Sequence, residues 1–339
     1  MEEKAIITLT DETVAEKIAR LKTEVGATIV AHYYQQDAVF AIADFTGDSL
    51  ELAKKAMSDP NPNLIFCGVG FMGQSAKILA PHKRVMMPKI ACCAMARMID
   101  KSYFDESVAA LEARGISKER IYPVTYINSS AEVKAEVGKM GGMVCTSSNA
   151  HKIIATALES GKKVLFVPDR CLGLNIAKKM GLKGTVIGID PDFETGDIIC
   201  YDGFCSVHQL FEPADIAFYR EKYPDIQIVV HPECDPEVVA LADFVGSTSQ
   251  MLKYIGGLDP EQKVAVGTEY NLVHRMREKN TYVLSSTKPE CPTMNETTPE
   301  DVLRVLESIK AGTYENEIVL DEETAKWARV ALERMMELS

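Results

Sequence analysis

The residues best suited to chemistry in this sequence are its cysteines. There are nine, and no two of them form a C-x-x-C pair. Three, Cys93, Cys205 and Cys291, lie in the loop-like segments ACCAM, DGFCSVH and KPECPTM, each just past a separate strand-rich stretch. Thiols on three units can meet at one point only if the units surround it. Structural zinc usually takes four ligands, often paired closely in sequence. Widely spaced thiolates instead suit a preassembled iron–sulfur cluster, because soft sulfur ligands select such clusters. Three ligands would leave one iron open for chemistry. The other six cysteines read differently. Cys67 after LIF, Cys145 after MV and Cys200 in DIIC lie in buried strand segments, where a thiol packs as a small hydrophobe. Cys171 and Cys234 fall at strand ends, where either could line a site without binding metal. Cys92 adjoins Cys93, and adjacent residues are poorly placed to ligate one cluster together.

Short β-branched runs alternate with helical stretches, the pattern of α/β units with parallel sheets. Strand candidates come in triplets: 27–35, 63–72 and 84–88; then 122–130, 142–150 and 163–169; then 226–234, 243–250 and 263–269. Helical segments such as SLELAKKAM, SAEVKAEVG, SQMLKYI and NLVHRMREK fill the gaps. First strands end in HYYQ, YINSS or HPEC, and second strands in GVGFMGQS, CTSSNA or GSTSQ. The expected fold is three similar αβα units with parallel sheets in a pseudo-threefold arrangement around a central active site. The expected divisions are 1–105 with an N-terminal helix, 106–195, 196–295, and C-terminal helices over 296–339 packing back on the body. In open parallel sheets, ligands collect beyond the carboxyl ends of the strands, where the polar clusters fall.

Composition narrows the function. At 339 residues, with 46% hydrophobic and 25% charged residues, the chain has the make-up of a soluble globular protein. A net charge of −12 gives no basic stripe for nucleic acid. The N-terminus has no basic segment followed by an apolar core, and no run approaches a membrane span, so a cytoplasmic location is expected. No GxxxxGK[ST] loop is present, which leaves bound ATP unsupported; GVGFMG at 68–73 does spell GxGxxG, a pattern too short to assign bound NAD by itself.

Nine segments in order, from about residue 27 to 294, resemble the quinolinate synthase family: AHYYQ, DFTGDSLELA, FMGQSAKIL, TYINSSAEVKA, CTSSNA, VHPEC, DFVGSTSQM, VGTEYNLVHRM and CPTM. The resemblance implies three αβα units around a cavity and a [4Fe-4S] cluster with one cysteine ligand from each. Cys93 takes the first ligand position, in a turn where Cys92 replaces the usual glycine, and Cys205 and Cys291 take the others. It implies condensation of iminoaspartate with dihydroxyacetone phosphate to quinolinate, phosphate and water in NAD biosynthesis. A functional link to an iminoaspartate-producing oxidase or dehydrogenase would follow. An open iron would act as a Lewis acid.

Carried over by motif, the substrate-binding residues are His32, Ser49, Tyr126, Asn128, Ser147, His208, His231, Glu233 and Thr248. Hydroxyl and amide donors at helix starts suit anionic substrates. Tyr34, Tyr126, His231 and Glu233 are the candidates for acid–base work, since histidine titrates near neutrality and burial raises a carboxyl pKa. The chain departs from the family's pattern at Gln74, where an acidic residue is usual, at Asn271, often glycine, and at Asn295, usually lysine. Two other readings stand beside this one. An iron–sulfur hydro-lyase acting on a small carboxylic acid would share the cluster but need no triose phosphate. A cluster-bearing sensor would need a partner-binding surface.

Overall fold

The structure is a computed structural model that describes residues 12–276 and 280–339. The first eleven residues of the expected N-terminal helix and the last three of NLVHRMREK lie outside them. Three sheets, all of parallel strands, follow one another along the chain. The first holds β1 (Ala27–His32), β2 (Phe45–Gly47), β3 (Asn63–Cys67) and β4 (Arg84–Met86), in the order β2-β1-β3-β4. The second holds β5 (Ile121–Tyr126), β6 (Met143–Cys145), β7 (Lys163–Val167), β8 (Gly184–Val186) and β9 (Ile198–Cys200), ordered β6-β5-β7-β9-β8. The third holds β10 (Gln227–Val230), β11 (Phe244–Val245), β12 (Val264–Gly267) and β13 (Thr281–Val283), ordered β11-β10-β12-β13. Central strands such as β1 and β3 are buried along their whole length, as parallel strands covered by helices on both faces must be.

The strand order corrects the expected repeat. The sequence pattern groups GVGFMGQS with CTSSNA and GSTSQ as the end of a second strand. GVGFMGQS follows β3 instead, whose counterparts are β7 and β12, beside β1, β5 and β10. The true partner of β6 and β11 is β2, in DFTGDS, which the periodicity missed because only three residues pair. With that correction Ser49, Ser147 and Thr248 fall just past equivalent edge strands. The cysteines follow the strands beside β3, β7 and β12: Cys93 after β4, Cys205 after β9 and Cys291 after β13.

Two close backbone approaches fix how these parts meet. A Cβ on Gly138 would lie 2.1 Å from the Trp327 carbonyl oxygen, so helix Ala131–Lys139 touches helix Glu322–Glu337 main chain to main chain. A Cβ on Gly203 would lie 2.5 Å from the Pro168 carbonyl oxygen. Only glycine admits the ladder there, in which Gly203 N donates to Pro168 O and Arg170 N to Gly203 O. That ladder anchors the loop leading to Cys205. One apolar cluster runs through the first two sheets and helix Glu322–Glu337, a second joins the first sheet to helices Val14–Glu24 and Pro299–Ala311, and the third sheet has clusters of its own. Among the described residues, no helix is long and apolar enough to cross a membrane.

Candidate active site

A cavity opens where the carboxyl ends of the three sheets face one another, with about 690 Å³ of space not filled by atoms, part of it open to solvent. All thirteen residues singled out from the sequence line it. The first sheet supplies His32, Tyr34, Ser49 and Cys93, and the second Tyr126, Asn128, Ser147 and Cys205. His208, His231, Glu233, Thr248 and Cys291 come from the third sheet and the loops beside it.

His32 and His231 end equivalent strands and make the same local bond. His32 Nδ1 accepts from Tyr34 N at 3.1 Å, and His231 Nδ1 accepts from Glu233 N at 3.3 Å. An imidazole that accepts through Nδ1 carries its proton on Nε2, so both rings offer an N–H donor. Burial, aided for His32 by Arg275, pushes each down to about 3. The expectation that His231 titrates near neutrality is therefore corrected: desolvation keeps it neutral, and it serves as a hydrogen-bond donor.

Glu233 links the units. Tyr126 Oη donates to its Oε1 at 2.5 Å, and His208 Nδ1 lies 3.0 Å from its Oε2. Burial alone would raise this carboxyl, as the sequence suggested. The neighbouring imidazoles and the phenol outweigh burial and hold Glu233 below the usual carboxylate range. Since His231 is neutral, the hydrogen bond from Tyr126 is the contact whose geometry favours the anion. The same charge, with burial, raises both Tyr126 and Tyr34, so each phenol keeps its proton. Tyr34 Oη lies 2.8 Å from Thr268 Oγ1 and 3.3 Å from Thr248 Oγ1, and Thr268 Oγ1 is 3.1 Å from His208 Nε2.

Hydroxyls sit at helix starts because the local sequence builds caps there. Asp48 and Glu51 form a capping box that begins helix Ser49–Ser58 on Ser49, and Ser247 with Gln250 does the same for helix Thr248–Gly256. Ser249 Oγ then reaches 2.7 Å to Asp48 Oδ2 and 2.9 Å to Glu51 Oε2, tying the third sheet's helix to the first's.

Cys93, Cys205 and Cys291 all reach the cavity, and burial raises each thiol, Cys93 to about 12. Cys67, Cys145 and Cys200 are fully buried in strands, while Cys92 is exposed. Cys171 and Cys234 are buried outside the cavity wall, against Gln209 and the Gly267 carbonyl. His82, His151 and His274 are exposed.

Sequence reasoning missed Asp48, Glu269 and Thr268. Asp48 was legible in the D-x-x-E spacing. Glu269 lines the cavity and accepts at Oε1 from Cys291 N (3.2 Å) and at Oε2 from Asn271 N (2.8 Å), which joins the third cysteine loop to the end of β12. The departures from the family's pattern have structural partners. Gln74 Oε1 accepts from Ala131 N at 3.1 Å, across the first two units. Asn271 Nδ2 donates to Asn295 Oδ1 at 2.7 Å and to the Tyr34 carbonyl at 3.0 Å.

A profile of the family described as "Quinolinate synthetase A protein" matches residues 16–337. The chain belongs to that family. It is 52% identical over 336 residues to a Helicobacter pylori (strain HPAG1) protein named quinolinate synthase, covering 97% of this chain and 99% of that one. Proteins of the same name from Streptomyces coelicolor and Acidobacterium capsulatum are 40% and 37% identical, covering 91% and 98% of this chain. The motif resemblance in the sequence is thereby extended to nearly the whole length.

Proposed function

We propose that this chain is a quinolinate synthase of NAD biosynthesis, joining iminoaspartate to dihydroxyacetone phosphate. The atoms balance as quinolinate, inorganic phosphate and two molecules of water. The observation that carries the reading is the cavity in which neutral donors from three sheets surround the Glu233 carboxylate, with Asp48 and Glu269 also on its wall. Two polyanionic substrates need many donors, and this wall supplies imidazole N–H, phenol, hydroxyl and amide groups, while burial raises the carboxyls of Asp48 and Glu269.

Cys93, Cys205 and Cys291 fit a [4Fe-4S] cluster. Their sulfurs share one cavity, yet among the described residues they do not all lie within 4.8 Å of one another. A wider polynuclear group suits that spread. Burial raises all three thiols, so each would stay protonated unless metal held it as thiolate. When bound with three cysteine ligands, the cluster supplies an open iron as a Lewis acid for a substrate oxygen.

The chain's own residues divide the remaining work. His32 and His231 present Nε2–H donors to carboxylate oxygens. Ser49, Asn128, Ser147 and Thr248 provide further donors to carboxylate and phosphate, beside helix N-termini at Ser49 and Thr248. Tyr126 holds a proton on Oη against Glu233 Oε1, where the pair can pass it to and from a substrate atom. Tyr34 holds a second proton on Oη, beside Thr268 and Thr248.

The test is anaerobic: purified protein is given both substrates, and quinolinate and phosphate are measured with iron and sulfide content. Quinolinate formation that needs both substrates and scales with cluster content supports the reading. Dehydration of a hydroxy acid without triose phosphate would overturn it in favour of a hydro-lyase.

A further inference from the structure

We propose that Cys205, His208 and Glu233 form a mononuclear transition-metal site, suited to Zn²⁺, that is available only while the cluster is absent. Their ligand atoms all lie within 4.8 Å of one another. Among the described residues the cysteine trio does not meet that condition, so the mixed set is the one whose donors already stand close enough for a single ion. His208 and Glu233 are almost fully buried, at 1% and 4% exposure.

The histidine is oriented as a ligand. Its Nε2 is occupied by Thr268 Oγ1 at 3.1 Å, and Thr268 Oγ1 is itself held by Tyr34 Oη at 2.8 Å. A second partner on the far nitrogen orients a metal-binding imidazole, and the Thr268 hydroxyl can donate to or accept from it. The other nitrogen, Nδ1, lies 3.0 Å from Glu233 Oε2 but has no partner in hydrogen-bond geometry. Two groups that approach closely without a proper hydrogen bond between them are placed to share an ion.

The donor chemistry agrees. One sulfur, one imidazole nitrogen and one carboxylate oxygen are ligand types that Zn²⁺ accepts, and three protein ligands leave a fourth position open. Zn²⁺ with one thiolate and one carboxylate is electrically neutral, which suits a buried site. Binding forms a metal–sulfur bond and releases the Cys205 thiol proton to solvent, with no change of oxidation state. Because Cys205 would also ligate the cluster, and His208 and Glu233 would face substrate, an ion here would exclude both. That competition rests on the proposed function; the metal site does not.

The experiment uses the full chain, stripped of iron by chelation, kept reduced and titrated with Co²⁺ as a visible stand-in for Zn²⁺. One Co²⁺ per chain should bind with a thiolate-to-cobalt charge-transfer band, and Zn²⁺ should displace it. Cys205→Ser should abolish the band, His208→Ala and Glu233→Gln should weaken binding about tenfold or more, and Cys93→Ala and Cys291→Ala should leave it unchanged. Thermal unfolding of each variant separates misfolding from ligand loss, and the isosteric Glu233→Gln keeps the packing. Loss of the band in Cys93→Ala or Cys291→Ala with His208→Ala unaffected would overturn the proposal, as would the absence of any band. Cluster-loaded protein should show no Co²⁺ band; a band there with iron retained would overturn the exclusivity. Failure to form quinolinate would sink the proposed function while leaving this site standing.

Discussion

Tyr126, at the end of the second unit's first strand, donates its phenolic hydrogen to Glu233, just past the third unit's first strand, at 2.5 Å. Both are buried, and His208 Nδ1 lies 3.0 Å from the other carboxylate oxygen. Tyr126→Phe should therefore leave iron content intact and lower kcat by about 10²-fold, the usual scale for a lost proton donor. Steady-state rates normalised to iron measure this. A variant as fast as the parent would remove Tyr126 from proton transfer.

The cysteines should divide sharply. Cys93→Ala, Cys205→Ala and Cys291→Ala should each lose iron and turnover together. Cys92→Ala and Cys67→Ala should retain both, the second with a stability cost of about 1 kcal/mol for a vacated core position. Iron and sulfide assays on anaerobic protein decide it, and retention of the cluster in Cys93→Ala would move the ligand to Cys92.

Lys134 gives a pH signature unconnected with catalysis. Its ammonium is fully buried and donates to the Ile127 carbonyl at 2.8 Å and to the Ser129 carbonyl, and burial lowers it to about 7 from an ordinary 10.5. Between those values the unfolded chain binds a proton that the folded chain does not, so stability rises with pH from about 7 towards 10.5. The contribution is present above the unfolded value and lost as pH falls through the folded one. Thermal unfolding of Lys134→Met should lack this rise, and equal slopes for parent and variant would contradict it.

Asn271 and Asn295 both depart from the family's pattern, and they bond to each other. Asn295→Lys alone should lower activity, because Asn271 then loses its acceptor and its hold on the Tyr34 carbonyl slackens. Combining it with Asn271→Gly should cost less than the two single losses added together, because both remove the same contact. A double-mutant cycle should give a coupling of about 0.5 kcal/mol or more; strict additivity would mean the two substitutions are unrelated.

Gly138→Ala should destabilise by about 1–3 kcal/mol or more, since the new methyl would fall 2.1 Å from the Trp327 carbonyl and two helices would have to part. Urea unfolding measures it.

The sequence carried the buried central strands plainly, because β1, β3, β5, β7, β10 and β12 are apolar runs of four to six residues. It carried β2, β8 and β13 poorly. Each pairs over three residues at or near a sheet edge, too few for a hydrophobic period to register. Residues at strand ends and helix starts were legible for the same reason their motifs were: His32, Ser49, Ser147 and Thr248 sit at junctions marked by composition. Glu269 was not, since its partner Cys291 N is 22 positions away and only folding joins them. The charge state of His231 was misjudged for a related cause. His231 is buried with His208, from a separate loop, stacked on its ring at 4.6 Å, and no local spelling announces that.

The apolar interior is unequally divided. The first two lobes share one continuous oily mass, whereas the third has apolar clusters of its own and meets them through polar contacts that include Ser249, Asn175, Arg275, Tyr34 and the Tyr126 pair. Polar fastenings exchange readily with water, so this seam is the molecule's mechanical weak line. Amide deuteration should invade β10 and β12 before β5 and β7, and a crosslink across the seam would be felt as stiffness in every turnover that needs it to part.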